Sequence, residues 1–195
     1  EMTQDGFISP PLGLLYLAGM LLAHGHDVRV VDGCLDGSDS IRQALRDYRP
    51  DLVGITALTP GRKKAFEVAE WSRVLAPEAP VVLGGAHPTI MYEQILAHYP
   101  AVDYIVCGEG EHTLLEIAEG HDPAQIRGLV YRDQSGIRKT PVRSPVANLD
   151  ELPFPAWHLV DLHRYPFMGQ RIGERPGRGR QRRQASVIFS RGCLG

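Results

Sequence analysis

Apolar runs of two different spacings alternate along most of the chain. Leu12–Gly25 (LGLLYLAGMLLAHG) is apolar nearly all round and closes at Gly25, a residue suited to a helix C-terminal cap. Asp27–Asp32 (DVRVVD) is a β-branched run and predicts a strand. Ser38 is placed to N-cap the next helix, Asp39 to Tyr48, which must stop near Pro50. Asp51–Leu58 (DLVGITAL) is continuously apolar, as in a parallel strand covered on both faces. Lys63 to Leu75 has near-helical spacing, with Ala65, Val68, Ala69, Ser72 and Leu75 on one side and Ser72 its weakest member. Pro80–Gly85 (PVVLGG) is another buried strand, and Thr89 to His98 a helix. Val102–Gly108 (VDYIVCG) is a further strand, followed by a short helix from Glu111 to Glu119.

Strand and helix in regular alternation imply an α/β fold. The expected form is a doubly wound parallel sheet of flavodoxin-like or Rossmann-like type, with right-handed crossovers. In such open sheets the ligand crevice lies beyond the carboxyl ends of the strands. Past Gly120 the pattern changes. Ile126–Val142 reads as two alternating segments around Gln134-Ser135-Gly136, a hairpin signal. Asn148–Tyr165 contains prolines and is weakly periodic, as in an ordered linker. Arg171–Gln184 is rich in arginine and glycine, and Ala185–Ser190 (ASVIFS) is one more strand. The expected organisation is an α/β domain over 1–122, a hairpin extension over 123–147, a linker over 148–184, and the first strand of a second domain over 185–195. The polar opening EMTQDGFISPP leaves the first helix without a strand ahead of it, so the leading strand of the sheet is expected upstream.

Composition narrows the class. The hydrophobic fraction of 43% in 195 residues suffices for a sizeable core, and the formal net charge of −2 names no polyanionic partner. Three widely spaced cysteines, Cys34, Cys107 and Cys193, argue against a disulfide framework and for a reducing, cytoplasmic compartment. The apolar run from Leu12 to Ala23 is too short to cross a bilayer, which takes about 20 residues, so no membrane association is expected.

The strand-end loops are small and permissive: Thr56–Gly61 (TALTPG), Gly84–Thr89 (GGAHPT) and Gly108–Thr113 (GEGEHT). Glycines there let backbone amides approach a bulky ligand, and Thr56, Thr59 and Thr89 add hydroxyls. Gly84-Gly85 alone could be no more than a tight turn. Three such loops on one sheet edge point to a large flat ligand. No G-x-G-x-x-G opens a helix and no G-K-[ST] occurs, so dinucleotide and triphosphate readings lose their main support.

The ordered set PPLGLLYLAGMLLAHGHDVRVVDG, DLVGITALT, VVLGGAHPT and VDYIVCGEGE resembles the cobalamin-binding domain at the N-terminus of cobalamin-dependent radical S-adenosylmethionine enzymes. The linker NLDELPFPAW and the terminal SVIFSRGC continue the match over nearly the whole chain. The resemblance implies that the corrin and its nucleotide tail lie on the carboxyl ends of the strands. Thr56, Leu58 and Thr59 match the loop under the cofactor, and Gly84 and Gly85 the glycine pair beside the tail. His87, Gly108, Glu109 and Glu111 match neighbouring family loops, and Pro11 and Gly13 the segment entering the first helix. Many cobalamin proteins carry D-x-H-x-x-G ahead of that helix, its histidine coordinating cobalt. The corresponding DGFISPPLG has no histidine; the expectation is that cobalamin, if bound, has its benzimidazole base off with no histidine of this loop replacing it, which would leave the lower axial position open or held by water.

Several residues are better read plainly. His24 and His26 lie at the far end of the first helix and suit capping or a surface role. His87 is better placed for the cofactor, although a histidine before proline in a turn more often bonds nearby backbone. Cys34, after a strand end, reads as a free buried or half-buried thiol, and Cys107 as a core thiol. The six arginines between Arg171 and Arg183 stand against one acid, Glu174, and suit a solvated linker. Without interleaved aromatics they do not establish nucleic-acid binding.

Cys193 completes the resemblance. In that family SRGC introduces a C-x-x-x-C-x-x-C loop whose thiolates hold a 4Fe–4S cluster, with S-adenosylmethionine on the open iron. The two further cysteines would fall four and seven residues after Cys193, and the sequence ends after two. The implied parent is a methyltransferase that uses methylcobalamin on an unactivated carbon, its cofactors carrying the chemistry and this domain holding the corrin. No residue of this stretch is expected to be catalytic, and cobalamin and a downstream barrel are its expected partners. Two other readings stand beside it. One is a ring-forming or oxidative enzyme of tetrapyrrole-cyclase type. The other is a non-catalytic receiver-like or cobalamin-sensing module. A receiver needs clustered strand-end acids, and although Asp32 supplies one, Thr56 and Gly108 stand where others belong.

Overall fold

The computed structural model describes residues 9–165 and Arg191. The elements in chain order are α1 (Leu12–Ala23), α2 (Gly33–Tyr48), β1 (Val53–Thr56), α3 (Arg62–Leu75), β2 (Val81–Gly84), α4 (Ala86–His98), β3 (Tyr104–Val106), α5 (Glu111–Ala118), β4 (Leu129–Asp133) and β5 (Gly136–Lys139). Three single-turn 3-10 helices follow, at Leu149–Glu151, Trp157–Leu159 and Leu162–Arg164. The strands form one sheet in the order β1-β2-β3-β4-β5. β1, β2 and β3 are parallel, β4 runs antiparallel to β3, and β5 antiparallel to β4. The fold is α/β, as the alternation of elements implies. The hairpin lies within the same sheet, with β4 hydrogen-bonded along β3.

Side-chain alternation divides the core between the two faces of the sheet. Val53, Val81, Leu83, Ile105 and Val130 point to one face, where Leu45 of α2, Phe66 and Ala69 of α3, and Ile95 and Leu96 of α4 cover them. Val82, Val106 and Leu129 point to the other, under Leu114 of α5 and Leu17 and Leu21 of α1. Each fully buried aliphatic side chain contributes roughly 1.5–3 kcal/mol by removal from water. This two-sided burial is why the strands read as unbroken apolar runs.

The all-round apolarity of α1 has a second cause. Beyond its contact with the sheet, Met20 packs with Leu115 of α5 and Leu152 of the linker, beside Val146 and Leu149. The linker also binds the helix directly, the Ala156 N–H donating to the Leu15 carbonyl at 2.9 Å. At Gly19 the approach is closer still: a Cβ there would stand 2.4 Å from the Phe154 carbonyl oxygen. The helix ends as its sequence predicts, with Gly25 at φ 84° and the His26 N–H reaching back to the Leu21 carbonyl. His24 Nδ1 hydrogen-bonds the Met20 carbonyl at 2.8 Å, in keeping with a capping role.

Two expectations need correction. Asp27–Asp32 is not a strand. Its burial alternates as a strand's would, with Val28 and Val30 half-buried and Asp27 and Arg29 exposed. No described strand pairs with it, however, and strand structure exists only through a hydrogen-bonded neighbour. The helix expected from Asp39 begins instead at Gly33, where the Asp32 side chain caps the Cys34 N–H at 2.9 Å. Gly37, at φ 74° and ψ 175°, breaks this first turn from the remainder. The expected strand Ala185–Ser190, the arginine-rich stretch and Cys193 lie outside the described residues.

Candidate functional site at the strand carboxyl ends

The ends of β1, β2 and β3 carry the three loops singled out by sequence, and two of them are sewn together. The Ala57 N–H donates to the Gly84 carbonyl at 2.9 Å, and the His87 N–H donates to the Ala57 carbonyl at 3.2 Å. Between them Gly85 sits at φ 100° and ψ −179°, a region of backbone space open essentially to glycine. A Cβ at Gly85 would also stand 2.8 Å from the Ala57 oxygen and 3.0 Å from Thr56 Oγ1. Gly85 is therefore demanded by close backbone approach as well as by the turn.

Side chains extend this seam. Thr59 Oγ1 and His87 Nδ1 share a hydrogen bond of 3.3 Å. The imidazole is buried, with its ring centroid 6.3 Å from that of Phe66. Thr89 Oγ1 donates to the Gly85 carbonyl at 2.9 Å and accepts the Gly108 N–H at 3.3 Å, which ties in the third strand end. Thr89 carries two bonds of the seam, although its sequence signal was only a hydroxyl at a helix start. Thr56, Leu58 and Thr59 are exposed on this edge, Leu58 by 64%. Ile90, the fifth residue of α4, is exposed by 74%. Nothing lies within 4 Å of a Cβ built on Gly108 or Gly13.

Glu109 and Glu111 behave differently. Glu109 Oε2 accepts the Val146 N–H at 2.6 Å, and Glu111 is buried in the first turn of α5. Both carboxylates face the Arg191 guanidinium, Glu111 Oε1 at 2.7 Å and Glu109 Oε1 at 3.7 Å. The same guanidinium lies 4.9 Å from the Tyr16 ring centroid on α1. Burial acts to lower the pKa of Arg191, but the Glu111 hydrogen bond and the charges of Glu111 and Glu109 outweigh it and raise the pKa. Arg191 is a residue that sequence reasoning did not single out. Pro11 precedes α1 as its N-cap and Gly13 lies in its first turn, on the helix that carries Tyr16.

The expected positions thus form two neighbourhoods. Thr56, Leu58, Thr59, Gly84, Gly85, His87 and Gly108 make a shelf over the sheet edge. Glu109 and Glu111 make an ion-paired corner beside α1. Among the described residues no group of three or more His, Cys, Asp or Glu side chains could hold a metal ion. No helix among them is long and apolar enough to cross a membrane. Neither thiol is as enclosed as expected: Cys34 is exposed and Cys107 half-buried, and partial desolvation raises both above their ordinary pKa, Cys34 with help from the Asp32 charge.

A parallel α/β sheet whose glycine-rich loops form an open shelf, with hydroxyls and solvent-facing apolar side chains, defines a domain for a broad amphipathic ligand. Residues 2–118 match the B12 binding domain family, and the chain belongs to that family. Cobalamin is the cofactor of this domain. The shelf has room for a corrin: nothing lies within 4 Å of a Cβ on Gly108, and Leu58 stands exposed beside Thr56 and Thr59.

Relatives share more than the domain. An uncharacterized methyltransferase of Pyrococcus horikoshii is 34% identical over 194 residues, covering 96% of this chain and 39% of the relative. The anaerobic magnesium-protoporphyrin IX monomethyl ester cyclase of Rubrivivax gelatinosus is 32% identical over 195 residues, covering 94% of this chain and 33% of its own. Among solved structures, the radical S-adenosylmethionine methyltransferase TsrM from Kitasatospora setae, with cobalamin and a [4Fe-4S] cluster bound, is similar with a TM-score of 0.60 and 26% identity. That match covers 72% of this chain and 29% of TsrM. The chain spans about two fifths or less of these proteins.

Proposed function

We propose that this chain is the cobalamin-holding part of a cobalamin-dependent radical S-adenosylmethionine methyltransferase of the cytoplasm. The observation that carries this reading is the joined shelf of Thr56, Gly85 and Gly108 at the strand carboxyl ends, in a chain whose family is the B12 binding domain. The similarity to the P. horikoshii methyltransferase and to TsrM supports methyl transfer as the reaction of the whole protein. Bound cobalamin supplies a transferable methyl group, and a cluster begun at Cys193 would serve S-adenosylmethionine.

The chain's own residues bind and orient. Gly84 and Gly85 hold the β2–α4 turn tight against Ala57, which keeps side chains out of the shelf. Thr56 and Thr59 present hydroxyls to the amide-fringed edge of a corrin, and Leu58 presents an apolar contact. His87 is turned inward, toward Thr59 and Phe66, and so braces the shelf from below. Pro11 and Gly13, at the start of α1, match the family segment that enters the first helix. With no histidine between Asp5 and Gly13, the segment ahead of α1 would hold the cofactor without supplying an axial histidine.

Titrating the chain with hydroxocobalamin and following the corrin absorption tests this. Saturable binding at concentrations on the order of tens of micromolar is expected. A folded chain that leaves the spectrum unchanged would overturn the assignment of these residues. His87→Ala should shift stability and leave the corrin spectrum as it is; a changed spectrum would make His87 an axial ligand. For the whole protein, anaerobic turnover should yield S-adenosylhomocysteine. Ring closure without it would replace methyl transfer by cyclase chemistry, the reaction named for the R. gelatinosus relative.

A further inference from the structure

The seam along the carboxyl edge of the sheet changes character halfway. The β1–β2 ladder runs to its end, pairing Thr56 with Gly84, and main-chain bonds carry it on through Ala57 to His87. The β2–β3 ladder stops at Leu83 opposite Ile105. Beyond it β3 turns to its other neighbour: Val106 pairs with Leu129 of β4, and the Cys107 N–H donates to the Gly128 carbonyl at 2.8 Å. Among the described residues, no main-chain hydrogen bond joins the turn after β2 to the turn after β3. The join is made by one half-buried side chain. Thr89 Oγ1 donates to the Gly85 carbonyl at 2.9 Å and accepts the Gly108 N–H at 3.3 Å.

Gly108 needs that bond more than another residue would. It sits at φ 80°, and nothing lies within 4 Å of a Cβ built on it, so no packing on that side fixes its conformation. Glycine takes either sign of φ about equally well. The residues on either side of it are tied elsewhere, Cys107 to Gly128 and Glu109 through its carboxylate to Val146. We infer that Thr89 is a positioning residue of the cobalamin shelf: by holding Gly85 and Gly108 with one hydroxyl, it fixes the loop after β3 against the two loops before it. Its proton goes to Gly85 and a lone pair to Gly108, so it acts through the backbone that faces the ligand. The Gly108 bond is exposed, and water competes for it while the shelf is bare. A ligand over the shelf excludes that water and strengthens the bond. The role in cofactor binding rests on the cobalamin reading above; the bridge between the loops does not.

Amide hydrogen exchange followed by NMR on the cofactor-free 195-residue chain reads the bridge by itself. Thr89→Val keeps the volume and removes the hydroxyl. The Gly85 carbonyl still has the Thr89 main-chain N–H at 3.2 Å, so the loss falls on Gly108. The Gly108 N–H should exchange several-fold faster in this variant, while the Cys107 N–H keeps its rate. Thr89→Ser should restore the Gly108 rate. In the hydroxocobalamin titration, at a temperature where circular dichroism shows each variant folded, Thr89→Val should bind roughly fivefold more weakly, the loss of one hydrogen bond. Thr89→Ser should bind as the wild type does. Gly108→Ala disfavours the left-handed conformation and should also weaken binding, but by less when Thr89→Val is already present, because both release one contact. If Thr89→Val does not fold, Gly108→Ala carries the test, with faster exchange at position 108 and weaker binding expected together. Equal Gly108 exchange in the wild type and Thr89→Val overturns the bridge. Faster exchange with unchanged binding overturns the positioning role. A folded wild type that binds no hydroxocobalamin overturns the cobalamin reading instead, and the exchange rates still decide the bridge.

Discussion

The two neighbourhoods at the carboxyl edge of the sheet are built on opposite principles. On the shelf formed by the ends of β1 and β2, backbone is locked to backbone while Thr56, Leu58 and Thr59 stay exposed. At the corner formed by the end of β3, the polar side chains turn to one another: Glu109, Glu111 and Arg191 pair, and Thr113, Glu116 and Arg143 pair just behind them. A rigid floor with free side chains is suited to receiving a ligand. A set of mutually paired charges is suited to holding protein segments together, because the carboxylates and guanidinium are turned to one another rather than to a ligand. The same edge therefore divides into a surface that binds and a joint that fastens. Substitutions on the two sides should separate stability from cofactor binding.

The largest effect should come from the floor of the shelf. Gly85→Ala places a Cβ 2.8 Å from the Ala57 oxygen in a backbone region that costs a non-glycine residue about 1–3 kcal/mol. A loss of about 3 kcal/mol in urea unfolding is expected. That corresponds to a fall in Tm of roughly 10 °C at about 2–4 °C per kcal/mol for a chain of this size. Cobalamin binding should be lost with it, because the β1 and β2 loops part. Unfolding that matches the wild type would mean the turn can relax, and that the shelf is less rigid than its hydrogen bonds imply.

The joint should respond in stability alone. Thr113 is fully buried; its Oγ1 donates to the Arg127 carbonyl at 2.9 Å and accepts Arg143 Nε at 2.8 Å. Thr113→Val keeps the volume and strands both partners, so a loss of about 1–2 kcal/mol is expected. Hydroxocobalamin should bind the folded variant as it binds the wild type. Weakened binding at unchanged stability would show that the joint also shapes the shelf, and the division drawn above would fail.

The shelf was legible in the sequence because its determinants are local. A strand buried on both faces is an apolar run, and a turn at φ 100° and ψ −179° calls for glycine, so Val81–Gly85 announces both. The joint was not legible, because an ion pair between Glu111 and Arg191 spans 80 positions and leaves no periodic trace. Glu109 and Glu111 stood out from their place after β3, and only their partners reveal how their carboxylates are engaged. The failure at Asp27–Asp32 is of a related kind. Local pattern reports a residue's preference for extended structure, but pairing is supplied by a neighbour that the pattern does not name. Thr89 shows the reverse limit, since its two bonds depend on how α4 enters beside β3.

The smallest effect tests the exposed side of the shelf. Thr59 lies on the surface, and its hydroxyl meets His87 Nδ1 at 3.3 Å, a long, part-buried bond. Thr59→Val should change stability by no more than about 0.5 kcal/mol, as surface substitutions generally do. If the hydroxyl reaches a bound corrin, its loss should remove about 1 kcal/mol of binding, a weakening of roughly fivefold in the hydroxocobalamin titration. Thr113→Val and Thr59→Val then form a crossed pair, one costing stability without affinity and the other affinity without stability. If Thr59→Val instead lowers stability and leaves the titration unchanged, the hydroxyl serves His87 rather than the cofactor. The ligand-facing part of the shelf would then shrink to Thr56, Leu58 and the open backbone at Gly108.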